Sequence, residues 1–81
     1  MLKLLRFILE NETENTLVYK YFPENKSDWG LIEVNVKSGE LKIEKLAKSD
    51  RHKRYVMKMF KRLREFKDNN SFEKEGIVAW I

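Results

Sequence analysis

The chain has no cysteine, one histidine, one proline and three glycines among its 81 residues. Without cysteine there is no disulfide framework, no thiol nucleophile and no thiolate metal site. A single histidine, His52, cannot build a histidine-rich metal centre. No glycine-rich phosphate loop, metal-ligand spacing or nucleophile motif is present. Long hydrophobic runs are missing too. The opening MLKLLRFILENETEN is too short in its apolar part to span a bilayer, and acidic and polar residues follow without a small-residue cleavage site. Met1 to Leu9 is therefore expected to belong to the fold, and the chain to be a cytoplasmic protein without a membrane partner.

What is present suits one small domain covering residues 1–81, near the lower size limit for folding without staples. Ten aromatic residues and many aliphatic ones supply a real core. The net charge of +4 is concentrated in Ser49 to Asp68, where eight Lys and Arg face only Asp50, Glu65 and Asp68, a local excess of +5. A basic chain leaves nucleic acid, acidic proteins and anionic membranes open as partners by charge alone and selects none of them.

Lys3 to Leu9 is apolar on both sides, with Leu2, Leu4 and Ile8 against Leu5, Phe7 and Leu9. That pattern suits an interior strand or a buried helical turn. NETEN, residues 11 to 15, is a polar break. Thr16 to Phe22 has the β-branched and aromatic composition of a strand, stopped by Pro23. From Trp29 to Lys37, Ile32, Val34 and Val36 alternate with Leu31, Glu33 and Asn35, as in a half-buried strand. The turn Lys37-Ser38-Gly39-Glu40 follows, with Gly39 free to take a positive φ. Leu41 to Leu46 completes the hairpin, with Leu41, Ile43 and Lys45 expected on one side.

Ser49 to Asp68 then reads as an amphipathic helix, N-capped by Ser49 or Asp50 and ended by Asn69 and Asn70. On a helical wheel, Tyr55, Phe66, Met59, His52, Leu63, Val56 and Phe60 share an arc of roughly 140°. The apolar close, Ile77 to Ile81, is expected as a strand inside the sheet. The fold class is thus α+β, in the order β-β-β-β-α-β. About five antiparallel strands in spatial order 5-1-2-3-4 pack on one helix; pairing the last strand parallel to the fourth is the alternative. One helix covers one face of such a sheet, which leaves the second face partly bare.

The basic helix offers Arg51, Arg54, Lys58, Lys61, Arg62 and Arg64 as possible phosphate contacts. The plainer reading is a solvated face whose long stems cover the rim of the core. The aromatics Phe7, Tyr19, Tyr21, Trp29 and Trp80 read mainly as core, with Tyr19 or Tyr21 expected to reach a partner. His52 has no serine, carboxylate or second histidine to complete a catalytic set, and on the apolar arc it reads as packed or capping. Glu73 and Glu75 read as solubilising charge.

Two stretches, DWGLIEVNVKSGELKIEKLAKSD with RHKRYVMKMFKRLREF, and the ending FEKEGIVAWI, resemble a group of short uncharacterised bacterial proteins. That group shares a glycine-turn hairpin, a helix that begins with an acid and carries a Tyr near its start, and an EG-x-VAW ending. The resemblance covers about the last two-thirds of the chain. It implies no activity, cofactor or catalytic residue, and places Gly76 and Trp80 within the domain rather than in a tail.

The expectation is a non-enzymatic module without cofactor or metal, acting through a protein partner or as a homodimer by way of the bare sheet face or an edge strand. A nucleic-acid-binding accessory role for the basic helix is the alternative.

Overall fold

The computed structural model describes residues 1–81. Five strands, β1 (Lys3–Glu12), β2 (Thr16–Pro23), β3 (Gly30–Asn35), β4 (Leu41–Lys45) and β5 (Glu75–Trp80), surround one helix, α1 (Arg54–Asp68), in sequence. They form a single sheet in the order β4-β3-β2-β1-β5, and every neighbouring pair is antiparallel. The expected order is the observed one. α1 carries the chain from one edge of the sheet to the other, where β5 pairs with β1 from Lys3 opposite Trp80 to Ile8 opposite Glu75.

Alternation decides what each strand turns toward α1. β2 shows it most clearly: Leu17, Tyr19, Tyr21 and Pro23 are buried, while Thr16, Val18, Lys20 and Phe22 look the other way. Leu5 and Phe7 of β1, Ile32 and Val34 of β3 and Val78 of β5 join them beneath the helix. α1 contributes Val56, Met59, Leu63 and Phe66 at i, i+3, i+7 and i+10. Phe7 meets Tyr19 edge-on at 5.8 Å, an arrangement that aromatic quadrupoles favour, and lies tilted against Phe66 at 5.9 Å.

Several strands differ from expectation: β3 stops at Asn35 rather than Lys37, and β5 runs from Glu75 to Trp80 rather than from Ile77 to Ile81. β1 runs on to Glu12, into the polar break, through an irregular register between Leu9 and Asn11. Polar composition does not prevent pairing there, because both Thr13 and Thr16 close the turn through their own hydroxyls, 2.6 Å apart. In β4 the register shifts between Leu31 and Ile32, so that Ile43 faces Ile32 but Lys45 faces Leu31. This bulge turns Lys45 away from Leu41 and Ile43, contrary to the alternation of an uninterrupted strand.

The β3–β4 turn is as expected. Gly39 has φ 81°, and Asn35 Oδ1 accepts from the amides of Lys37 and Ser38 at 2.9 and 3.0 Å. α1 begins later than expected, after Lys53 at φ 59°. Asp50 still caps it, from outside the first turn: its carboxylate accepts from the amides of Tyr55 at 3.0 Å and Val56 at 2.9 Å. A negative group here also complements the positive end of the helix dipole. His52 falls in the turn before the helix and is exposed, so it is not a member of the apolar arc. At the other end, Asn70 takes φ 52° as the left-handed residue, and the Ser71 amide donates to the Phe66 carbonyl at 2.9 Å.

Candidate functional site

Tyr19 and Tyr21 are fully buried against the helix, which overturns the expectation that one or the other reaches a partner. The reason is chemical. A buried phenol needs a hydrogen-bond partner, and the helix side supplies one for each. Tyr19 donates to the Glu73 carbonyl at 2.7 Å. Tyr21 donates to Asp50 at 3.0 Å and accepts from the Ala47 amide at 3.1 Å. Asp50 is thus shared between the sheet and the start of α1, and no buried side-chain polar atom in the domain lacks a partner.

These placements raise all three tyrosine pKa values. Burial, then the charges of Glu12 and Glu73, pushes Tyr19 up to about 12. Burial also raises Tyr21, helped by the Asp50 charge. Burial and then the bond to Glu24 raise Tyr55 to about 12. Glu24 in turn is held below the ordinary carboxylate range by the Tyr55 hydroxyl and the Leu4 amide, which donate at 2.7 and 3.1 Å. Asp28 is lowered by the Ser49 hydroxyl and by the amides of Ser49 and Lys48. All these groups fasten segments together. No three carboxylates or histidines converge to hold a metal ion, and no helix is long and apolar enough to cross a membrane.

The sheet face away from α1 is bare. By register it carries Leu4, Ile8, Val18, Phe22, Leu31 and Ile77. Its centre is partly screened by its own cations: Arg6 lies 4.1 Å from the Phe22 ring centre, and Lys20 and Lys45 lie 4.3 and 3.5 Å from that of Trp29. Such stacking shields the rings while leaving the charges in water. At the β5 end nothing screens the surface. Ile77 is 58% exposed and Leu2 59%, and the outer edge of β5 pairs with no strand.

The six basic residues proposed from sequence do not form one group. Lys58, Lys61, Arg62 and Glu65 line a groove between α1 and β5 whose apolar part is Val78, Ala79 and Trp80. Arg54 and Lys58, with Lys3, line an adjoining hollow that also reaches Trp80. Arg51 and Arg64 are exposed and line neither. Sequence reasoning missed Lys3 and Trp80 as members of the groove and its adjoining hollow, because only the pairing of Lys3 with Trp80 brings the two chain ends beside the helix. Gly76 and Trp80 both lie in β5, Gly76 opposite Phe7. No protein-family model, curated protein or solved structure matches the chain.

Proposed function

We propose that the chain is a small non-enzymatic interaction module of the cytoplasm that self-associates through β5 and the adjoining bare sheet face. The observation that carries this reading is an unpaired, apolar edge strand beside unscreened Leu2 and Ile77. An open edge presents a row of backbone donors and acceptors, which a further extended strand satisfies. Only Glu75 is charged in EGIVAW, and no proline, bulge or lysine guards it.

A second copy is the occupant that the surface fits best. Antiparallel pairing of β5 with itself is closed by a two-fold axis and repeats the geometry already present between β1 and β5. The bare face is also balanced in charge, with Arg6, Lys20, Lys42 and Lys45 against Glu10, Glu33, Glu44 and Glu75. The cationic excess of the chain therefore does not oppose contact there. Cysteine-free composition supports the reducing compartment.

Sedimentation equilibrium of the parent and of Ile77→Lys tests the reading. A dimeric parent and a monomeric, normally folded variant are expected, since an edge lysine blocks strand addition. A parent that stays monomeric at millimolar concentration, or a variant that keeps the parent's mass, overturns it.

A further inference from the structure

We infer that the groove between α1 and β5, continued by the hollow that adjoins it, binds the phosphate backbone of a nucleic acid along Arg54, Lys58 and Lys61, over a floor that includes Trp80. This inference does not rest on self-association: the groove shares β5 with that surface, but it uses the helix-facing Val78 and Trp80 rather than the outer edge of β5 and the bare face.

Three observations carry it. The first is that the groove and its adjoining hollow hold unpaired cations. The domain's ion pairs are Lys20 with Glu10, Lys42 with Glu44 and Arg62 with Glu65. None uses Lys3, Arg54, Lys58 or Lys61, and Glu65, the one acid lining the groove, is already engaged by Arg62 at 3.3 Å.

The second is order. Arg54, Lys58 and Lys61 follow one ridge of α1, separated along its axis by about 6 and 4.5 Å from the helical rise. Lys58 is steadied by the Trp80 ring, its Nζ lying 5.3 Å from the ring centre, and Trp80 is steadied edge-on by Tyr55 at 5.4 Å. A row of cations held partly in place loses less entropy on gripping an extended chain of phosphates.

The third is shape. The apolar residues Val78, Ala79 and Trp80 come from β5 beneath, and the cations come from α1 above. A bilayer surface would meet the charges without reaching the apolar floor, whereas inserting helices place apolar groups outermost. A strand of nucleic acid fits a concave, positive channel with an aromatic residue in it, the arrangement used by proteins that track a backbone without reading sequence.

Fluorescence anisotropy with labelled single-stranded RNA, single-stranded DNA and duplex DNA of mixed sequence, each at low and high salt, provides the test. Two double variants carry the same change in charge: Lys58→Glu with Lys61→Glu in the groove, and Arg51→Glu with Arg64→Glu outside it. The groove pair is expected to weaken binding roughly tenfold or more, and to lower the slope of log affinity against log salt by about 1.5, as loss of two phosphate contacts requires. The outer pair should change affinity only about two- to threefold, through long-range attraction alone. Circular dichroism confirms that both variants fold, and the form bound most tightly identifies the strand state.

Equal losses from the two pairs overturn the inference, as does a parent that binds no nucleic acid at low salt. Poly-glutamate or anionic phospholipid vesicles that bind the parent as tightly as nucleic acid also overturn it, in favour of an acidic peptide or a membrane surface.

Discussion

The two edges of the sheet solve the same problem differently. β4, at one edge, alternates charge through Lys42, Glu44 and Lys45, and its bulge swings Lys45 over Trp29. The chain leaving β4 is then tied down: the Ala47 amide to the Tyr21 hydroxyl, and the Lys48 and Ser49 amides to Asp28 at 3.0 and 2.6 Å. β5, at the other edge, has one acid at its start and apolar residues beyond it. Charge, bulges and short length are the devices by which sheets avoid unwanted pairing. Both edge strands are short, but charge and a bulge guard β4 and are nearly absent from β5. A domain that guards one edge and leaves the other open has a polarity, and the proposed self-association through β5 rests on it.

The largest expected effect lies on the guarded side. Asp50 is the knot that joins β2, the segment after β4 and the start of α1. Asp50→Ala removes a helix cap and strands the Tyr21 hydroxyl, and should cost about 3 kcal/mol of folding stability. Thermal denaturation should show a fall of roughly 12–24 °C for a domain of this size. Tyr21→Phe should cost about 1–2 kcal/mol, and the double variant less than the two together, because both act on one network. A strictly additive pair would show that the network does not hold this side together.

Strand-edge substitutions then test the contrast directly. Replacing Lys42 and Glu44 with isoleucine removes the guard from β4. If β5 already pairs with a copy, a second open edge should convert dimers into larger, non-closing assemblies, visible by light scattering. Should the variant keep the parent's mass, side-chain charge is not what guards β4. At the turn that leads into β4, Gly39→Ala forces a positive φ on a side chain and should cost about 1 kcal/mol, read from chemical denaturation.

The pH dependence is smaller in effect and separates two other contacts. Glu24, which ties β1 to α1 beside β5, and Asp28, on the β4 side, both have lowered folded pKa values. Their stabilisation is present above the ordinary values of 4.5 and 3.8 and is lost as pH falls through the lower folded ones. Melting temperature should therefore fall below about pH 4.5, less steeply in Glu24→Gln. Tyrosines act at the opposite limit with the opposite sign. Tyr19 and Tyr55 are raised to about 12, so the unfolded chain loses these protons first, and stability falls as pH rises from about 10 toward 12. Ultraviolet difference titration should find no tyrosine ionising normally near pH 10 in the folded protein.

Much of this arrangement was legible in the residues. Alternation in β2 and β3, the glycine turn and the apolar arc of α1 are local patterns, set by backbone periodicities that hold in any tertiary setting. Strand order followed from them, because three short connections reverse direction each time and the helix returns the chain to the first strand. The presence of a bare sheet face followed as well, since one helix cannot cover two faces.

Which face would be bare was not legible. β2 carries Tyr19 and Tyr21 on one side and Val18 and Phe22 on the other, and hydrophobicity alone does not choose between them. The tertiary structure decided it through partners distant in sequence: Asp50 and the Glu73 carbonyl accept the two phenols, so the tyrosine side can be buried without stranded hydroxyls. The same holds for the groove, where the pairing of Lys3 with Trp80 joins the start of the chain to its close beside cations from α1. Local order here comes from the repeat of the backbone, whereas the choice of surface comes from polar groups that must find partners once water is excluded.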